Sequence, residues 1–254
     1  MNHHFDITLI LPAFNEAARI RSTVEQALAY FDSRGMQSEI IVAADGNDGS
    51  REIIRDFARE RPGVLVIGHP ERRGKGRGIR EAVAKARGEI VGFADADNKV
   101  AIEEYGKVER GLEAGFQVVI GSRAVSGSEI AQAQPLHRRL GGKAFGIIMR
   151  GITGLNVRDT QCGFKFFPAP VAHDLFGRQR IDGYMFDAEI LYIAHRLGYS
   201  IHEVPVRWRD DGDSRLDLVS GNIRNMRDVL RIRRMHGRLS ARQAVKSRVE
   251  VASR

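Results

Sequence analysis

Residues 87–97, Arg87-Gly88-Glu89-Ile90-Val91-Gly92-Phe93-Ala94-Asp95-Ala96-Asp97, set an apolar run directly before two carboxylates separated by one residue. Ile90–Ala94 reads as a strand whose end delivers Asp95 and Asp97 to one place. Two carboxylates so close can reach one hard divalent cation, which prefers oxygen ligands. Upstream, the same kind of unit recurs. Ile7–Leu11 is a short apolar strand closed by Pro12, and Arg19–Phe31 follows with Ile20, Val24, Ala27 and Leu28 at helical spacing. Glu39–Ala43 is a second strand, and Asp48-Gly49-Ser50 opens a helix through Ala58 with Ile53, Ile54 and Phe57 inward. Val64–Gly68 is a third strand and Lys75–Arg87 a third helix. Repeated strand–helix units predict an α/β fold with a mostly parallel sheet and right-handed crossovers. Ligands of such sheets sit outside the carboxyl ends of the strands. Pro12–Glu16, Asp45–Asp48 and Asp95–Asp97 all fall at such ends, so three separate segments are expected to line one crevice.

Downstream the pattern is less regular. Gln117–Gly121 reads as a strand ending in Ser122-Arg123, and His137–Ile152 as a helix weakened by Gly141, Gly142 and Gly146. Phe186–Leu197 is an amphipathic helix and Ile201–Val206 a strand. The tail places Ile223, Met226, Val229 and Leu230 on one helical face, with Arg224, Arg227, Arg231 and Arg234 as a separate basic stripe. The expected organisation is one domain over 1–221, with halves meeting near 120, followed by a basic amphipathic helical tail over 222–254.

The 254 residues, 43% hydrophobic, suffice for one large core. Cys162 is the single cysteine, so a reducing, cytoplasmic compartment is the expectation. The polar start, Met1 to Asp6, does not resemble a signal peptide. The longest candidate span, Ala144–Leu155, carries Arg150 and falls short of the roughly 18 apolar residues a bilayer demands. Residues 222–254 hold nine Arg and one Lys against Asp228 and Glu250, which accounts for the whole net charge of +8. An electrically neutral body argues against a nucleic-acid enzyme, whose basic footprint should cover its working surface. A basic tail can be a membrane-surface element, a nucleic-acid element or a solvated helix; the Arg stripe and apolar face over 222–234 suit the first, at an anionic membrane surface.

Further motifs accompany the acidic pair: Leu11-Pro12-Ala13-Phe14-Asn15-Glu16, Arg72-Arg73-Gly74-Lys75-Gly76, and Gly121-Ser122-Arg123. Then come Arg158-Asp159-Thr160-Gln161-Cys162-Gly163-Phe164-Lys165, the Phe186-Asp187-Ala188-Glu189 helix start, Glu203-Val204-Pro205-Val206 with Trp208, and Ser214-Arg215-Leu216. In this order, from about residue 7 to 234, they resemble inverting glycosyltransferase family 2, in particular its dolichyl-phosphate glucosyl- and mannosyltransferase branch.

The resemblance implies a GT-A, Rossmann-like sheet and a single displacement that inverts the anomeric centre. Pro12, Ala13, Asn15, Glu16 and Asp45 would line the base and ribose pocket, with Ala96 between Asp95, which serves ribose and metal, and Asp97, the principal ligand of Mg2+ or Mn2+. Lys75 would approach the diphosphate from the start of a helix, whose dipole favours anions. Ser214 and Arg215 would clamp that diphosphate, and Arg123, Arg138 and Gln161 would meet the acceptor. Asp187 is the candidate catalytic base. The sequence also departs from the family. One acidic residue, Asp45, stands where a pair is usual, which leaves UDP and GDP both open; Lys99 follows the acidic pair, and Arg72 replaces a turn asparagine. The leading expectation is hexose transfer from a UDP- or GDP-sugar to polyprenyl or dolichyl phosphate, by an enzyme peripheral to the inner membrane face. Transfer to a soluble or glycan hydroxyl with Asp187 as base is the alternative, and a non-catalytic nucleotide-binding module a third.

Overall fold

The computed structural model describes residues 4–130, 146–209 and 220–240, with side chains of the last segment described from Asn225 onward. Its elements are β1 (Phe5–Phe14), α1 (Ile20–Ser33), β2 (Ser38–Asp45), α2 (Ser50–Glu60), β3 (Val64–Ile67), α3 (Lys75–Val83) and β4 (Gly88–Ala94). There follow α4 (Tyr105–Glu113), β5 (Val118–Ser122), β6 (Glu129–Ile130), α5 (146–153), β7 (Phe164–Pro168), α6 (Ala169–Arg178) and α7 (Phe186–Leu197). The last are β8 (Ile201–Pro205), β9 (Arg207–Trp208) and α8 (Ser220–His236). Seven strands form one sheet in the order β3-β2-β1-β4-β7-β5-β8. Its first four strands are mutually parallel, as the strand–helix repeats predict.

β7, like α4, α6 and the short β6 and β9, is an element the sequence pattern did not reveal. It runs antiparallel between β4 and β5 and joins the two halves of the sheet. β1 also extends past Pro12 to Phe14. Its pairing with β4 stops at Ile10 while its pairing with β2 continues to Phe14, so the proline lies where the strand has one neighbour.

Alternation along the strands loads both faces. Leu9, Leu11, Phe164 and Phe166 join the layer of α1, α2 and α4, whereas Ile10, Phe93 and Phe167 join that of α3, α6, α7 and α8. The start of β4 is fixed by a buried polar knot. Glu39 accepts hydrogen bonds from Thr8 Oγ1 (2.7 Å), Arg87 N (2.9 Å) and Arg87 Nε (2.7 Å), and Gly88 N donates to Thr8 Oγ1 at 2.8 Å. That knot gives the Arg87-Gly88 pair a structural purpose, setting the register that carries Asp95 to the mouth of the sheet.

The tail helix differs from its expected use. Val229 and Ile232 are buried in the core layer beside α7, so this part of its apolar surface is taken up within the protein. Leu230, expected on that face, is 55% exposed. Among the described residues no helix is long and apolar enough to cross a membrane.

Candidate functional site

The ends of β1, β2 and β4 form the mouth of the sheet. Phe14 and Asp45 are opposite one another in register. Asn15 adopts a left-handed conformation with φ 57°, and its side chain covers Gly46, where a Cβ would fall 2.5 Å from Asn15 Oδ1. Asp45 accepts from His69 N (3.1 Å) and Arg73 N (2.7 Å), so its carboxylate shapes the turn that leads to Lys75. Glu16 Oε2 stands 2.9 Å from Arg19 Nε. Asp48 accepts from Ala17 N at 2.8 Å and from the Ser50 hydroxyl at 2.8 Å. Burial would raise its carboxyl, but these bonds outweigh it and hold the group below its ordinary range. Pro12, Ala13, Asn15, Glu16 and Asp45 thus gather at one place, while Glu16, Asp45 and Asp48 also bind the protein's own loops.

At the centre, each of three aspartates has its own lysine. Lys75 Nζ donates to Asp95 Oδ1 at 2.5 Å, and Lys99 Nζ stands 3.3 Å from Asp97 Oδ2. Lys165 Nζ donates to Asp187 Oδ1 and to Cys162 O, the latter at 2.6 Å. Burial alone would lower the Lys75 pKa, but Asp95, Asp187 and Asp97 outweigh it and keep the ammonium charged. Burial, reinforced by the charge of Asp95, pushes the Asp97 carboxyl upward despite Lys99. Asp95 is further fixed by its N–H to Gly163 O at 3.0 Å, and its carboxylate lies where a Cβ on Gly163 would be 2.1 Å from Oδ2. Ala96, 3% exposed, accepts from Thr23 Oγ1 at 3.0 Å and anchors the loop between the two carboxylates.

Asp187 opens α7 but is only 3% exposed. Its partner Lys165 lies in β7, in register with Phe93 and Ile120, and is fully buried. Burial drives the Asp187 carboxyl upward, opposed by Lys165 and Lys75. The pair fastens α7 to the middle of the sheet. Cys162 beside it is 2% exposed, and burial raises its thiol to about 12, leaving it uncharged.

A small cleft beside Asp95 is lined by Lys99, Arg123, Gln161, Gly163 and Trp208. Arg123 uses its Nε and Nη2 edge for Asp159, at 2.7 and 2.9 Å. Its charged centre and Lys99 Nζ lie 5.4 and 5.9 Å from the Trp208 ring centroid. Glu203 accepts from Arg158 N and Asp159 N at 2.8 and 3.0 Å, which fixes the turn holding Asp159 and Gln161. Arg138, Ser214 and Arg215 lie outside the described residues.

Sequence reasoning gave no role to Lys165. Its signal was a single charge inside the apolar run Phe164-Lys165-Phe166-Phe167. Nor did it find the rim formed by Arg72, which lies 4.5 Å from the Phe14 ring centroid and donates to Tyr184 OH at 2.9 Å. Arg72 and Tyr184 are 112 residues apart, beyond any local pattern.

Residues 8–176 match the family described as Glycosyl transferase family 2. The chain is 34% identical over 238 residues to a dolichyl-phosphate beta-glucosyltransferase of Trichomonas vaginalis, covering 89% of this chain and 70% of that protein. It is 29% identical to the human dolichyl-phosphate beta-glucosyltransferase, covering 89% and 74% respectively. Its fold resembles mannosyl-3-phosphoglycerate synthase from Rubrobacter xylanophilus, with a TM-score of 0.70 at 18% identity over 92% of this chain and 76% of that one. Glucosyl-3-phosphoglycerate synthase from Mycobacterium tuberculosis, solved with Mn2+ and UDP-glucose, superposes with a TM-score of 0.63 at 19% identity, covering 92% and 79%.

Proposed function

This chain belongs to glycosyl transferase family 2, and from that premise we propose that it transfers glucose from a nucleotide diphosphate sugar to a polyprenyl or dolichyl phosphate. It is a glycosyltransferase with the GT-A fold. The observation that carries the proposal is the meeting of Asp95, Asp97 and Lys75 at the mouth of the parallel strands. Two carboxylates supply hard oxygen donors for a divalent ion, and Lys75 supplies a positive charge for a diphosphate. The donor set fits Mg2+ or Mn2+, ions that accept one or two carboxylates and complete their shell with phosphate oxygens and water. Asp97 and Asp95 would hold the ion, which would neutralise charge on the departing diphosphate. Lys75 would move from Asp95 toward that phosphate, and Pro12, Ala13, Asn15, Glu16 and Asp45 would bound the base and ribose.

The acceptor side has groups that can bind an anion. Arg123 and Lys99 line the cleft beside Asp95, with Gln161 adding an amide, and an acceptor phosphate would share them with their partners Asp159 and Asp97. An acceptor phosphate oxygen would attack the anomeric carbon as the bond to the nucleoside diphosphate breaks, inverting that centre. An ionised phosphate has no proton to surrender and requires no base. The burial of Asp187 against Lys165 suits that chemistry, and Asp187 acts in this reading by positioning Phe186 and Lys75. Deprotonation of a hydroxyl acceptor would require the acceptor to reach a carboxylate that is only 3% exposed.

The membrane reading rests on α8 and α5. Arg227, Leu230, Arg231 and Arg234 share the solvent face of α8. Arg233 Nη1 donates to Ile152 O at 3.1 Å, tying α8 to α5, where Ile147 and Ile148 are exposed. Each basic residue near an anionic leaflet contributes about 1 kcal/mol, enough in sum for reversible attachment at a cytoplasmic membrane face. The test is nucleotide release from UDP-glucose and GDP-mannose, each with polyprenyl phosphate in anionic vesicles or with a soluble sugar, with and without chelator. The expected result is release that depends on lipid phosphate, stops with chelator, and is lost in Asp97→Ala. Transfer to the soluble sugar alone would overturn the acceptor assignment.

A further inference from the structure

Two buried groups outside the catalytic cluster face each other across two helices. His236, at the end of α8, is 6% exposed, and its Nε2 stands 2.7 Å from Oε1 of the fully buried Glu189 in α7. A histidine at the inner end of a surface helix would ordinarily be a packed side chain and no more. Glu189, however, reaches further. Its Oε1 accepts from Arg180 N at 2.9 Å and its Oε2 from Ile181 N at 2.8 Å, so one carboxylate holds α8 and the loop before α7 together.

That loop rests directly on the turn that carries Lys75. Gln179 Nε2 donates to Gly76 O at 2.9 Å, and Arg77 N donates to Asp182 O at 3.3 Å. Arg80 Nη2 reaches Asp182 Oδ1 at 2.7 Å. The backbones approach so closely that a Cβ on Gly74 would lie 2.3 Å from Asp182 O, and one on Gly76 2.6 Å from Ile181 O. Between these two glycines is Lys75, whose ammonium meets Asp95. A continuous chain of polar contacts therefore runs from α8 through Glu189 and residues 179–182 to the lysine at the mouth of the sheet. Beyond His236, Arg196 of α7 clasps the carbonyls of Gly237 and Leu239 at 2.7 and 2.8 Å, which seats the end of α8 in one place.

We propose that Glu189 and His236 are positioning residues that couple the seating of α8 to donor binding, by holding residues 179–182 against the Gly74-Lys75-Gly76 turn. The proposal rests on the reading of Lys75 as a donor-diphosphate ligand. When α8 is seated, the carboxylate is fully bonded and the loop fixes the turn. Without the imidazole, one bond to a buried charge is missing, and the loop and turn gain freedom that the donor must then remove. The same coupling acts in reverse, because linkage is reciprocal: nucleotide binding tightens α8.

The experiment compares wild type with His236→Phe, which removes the N–H donor, and His236→Gln, which keeps one. Donor KM and kcat are measured with UDP-glucose and GDP-mannose in the presence of Mn2+, and amide hydrogen exchange of α8 is followed with and without the matching nucleoside diphosphate. His236→Phe is expected to raise donor KM about tenfold with kcat little changed, and His236→Gln to remain near wild type. In the wild type, nucleotide is expected to slow exchange in α8. An unchanged donor KM in His236→Phe, an equal rise in His236→Gln, or wild-type α8 exchange indifferent to nucleotide would each overturn the coupling. Should His236→Phe not fold, the exchange measurement on the wild type still decides. Lys75→Ala separates the two readings. Normal donor affinity in that variant would refute the role of Lys75 itself. Lost affinity there, with His236→Phe behaving as wild type, would refute only the coupling.

Discussion

Gly163→Ala tests the acidic pair without replacing either carboxylate. A Cβ at residue 163 would lie 2.1 Å from Asp95 Oδ2, 2.4 Å from its Cγ and 2.5 Å from Oδ1. Ordinary carbon–oxygen contact begins a little beyond 3 Å, so the carboxylate must retreat by about 1 Å, a displacement that can cost about 100-fold in rate. That factor corresponds to about 2.7 kcal/mol of transition-state stabilisation. The cost to folding should be smaller, about 1–3 kcal/mol, because the obstructed group is a short side chain at the sheet mouth and the Asp95 N–H to Gly163 O bond is retained. The assay is kcat/KM for nucleotide release at saturating Mn2+, beside a denaturation curve. Activity within a few-fold of wild type in a folded Gly163→Ala protein would refute the claim that Asp95 must occupy this position.

Lys165→Met should destabilise the protein by about 3–5 kcal/mol, since it removes the direct partner of the buried Asp187, whereas Lys165→Met with Asp187→Leu should recover most of that loss. Urea midpoints measure both, and a double variant no better than the single one would sink the account. Asp159 gives a pH signature. Burial pushes its carboxyl up, but Arg123 outweighs burial and holds it below the ordinary range. A depressed folded pKa contributes stability above the unfolded value of about 3.9 and loses it as pH falls through the lower folded value. Asp159→Asn should therefore be less stable than wild type at neutral pH, with the difference shrinking in acid. A difference as large in strong acid as at neutrality would refute the pairing.

Sequence alone determined the parallel half of this protein. The runs Ile7–Leu11, Glu39–Ala43, Val64–Gly68 and Ile90–Ala94 alternate with helical spacings, and local periodicity of that kind is written into neighbouring residues. It also placed Asp95 and Asp97 at a strand end, because the apolar run stops where the carboxylates begin. Tertiary structure alone decided what those groups face. The antiparallel insertion of β7, the Lys165–Asp187 pair, the stack of Arg72 on Phe14 and the link from His236 to Glu189 join residues far apart in the chain. The tail shows the division most clearly. Its amphipathic spacing predicted a helix, and the structure has one over Ser220–His236, but only packing revealed that Val229 and Ile232 are buried beside α7. Periodicity records which residues share a face. The identity of the surface that covers that face is fixed by long-range contacts, which no local pattern encodes.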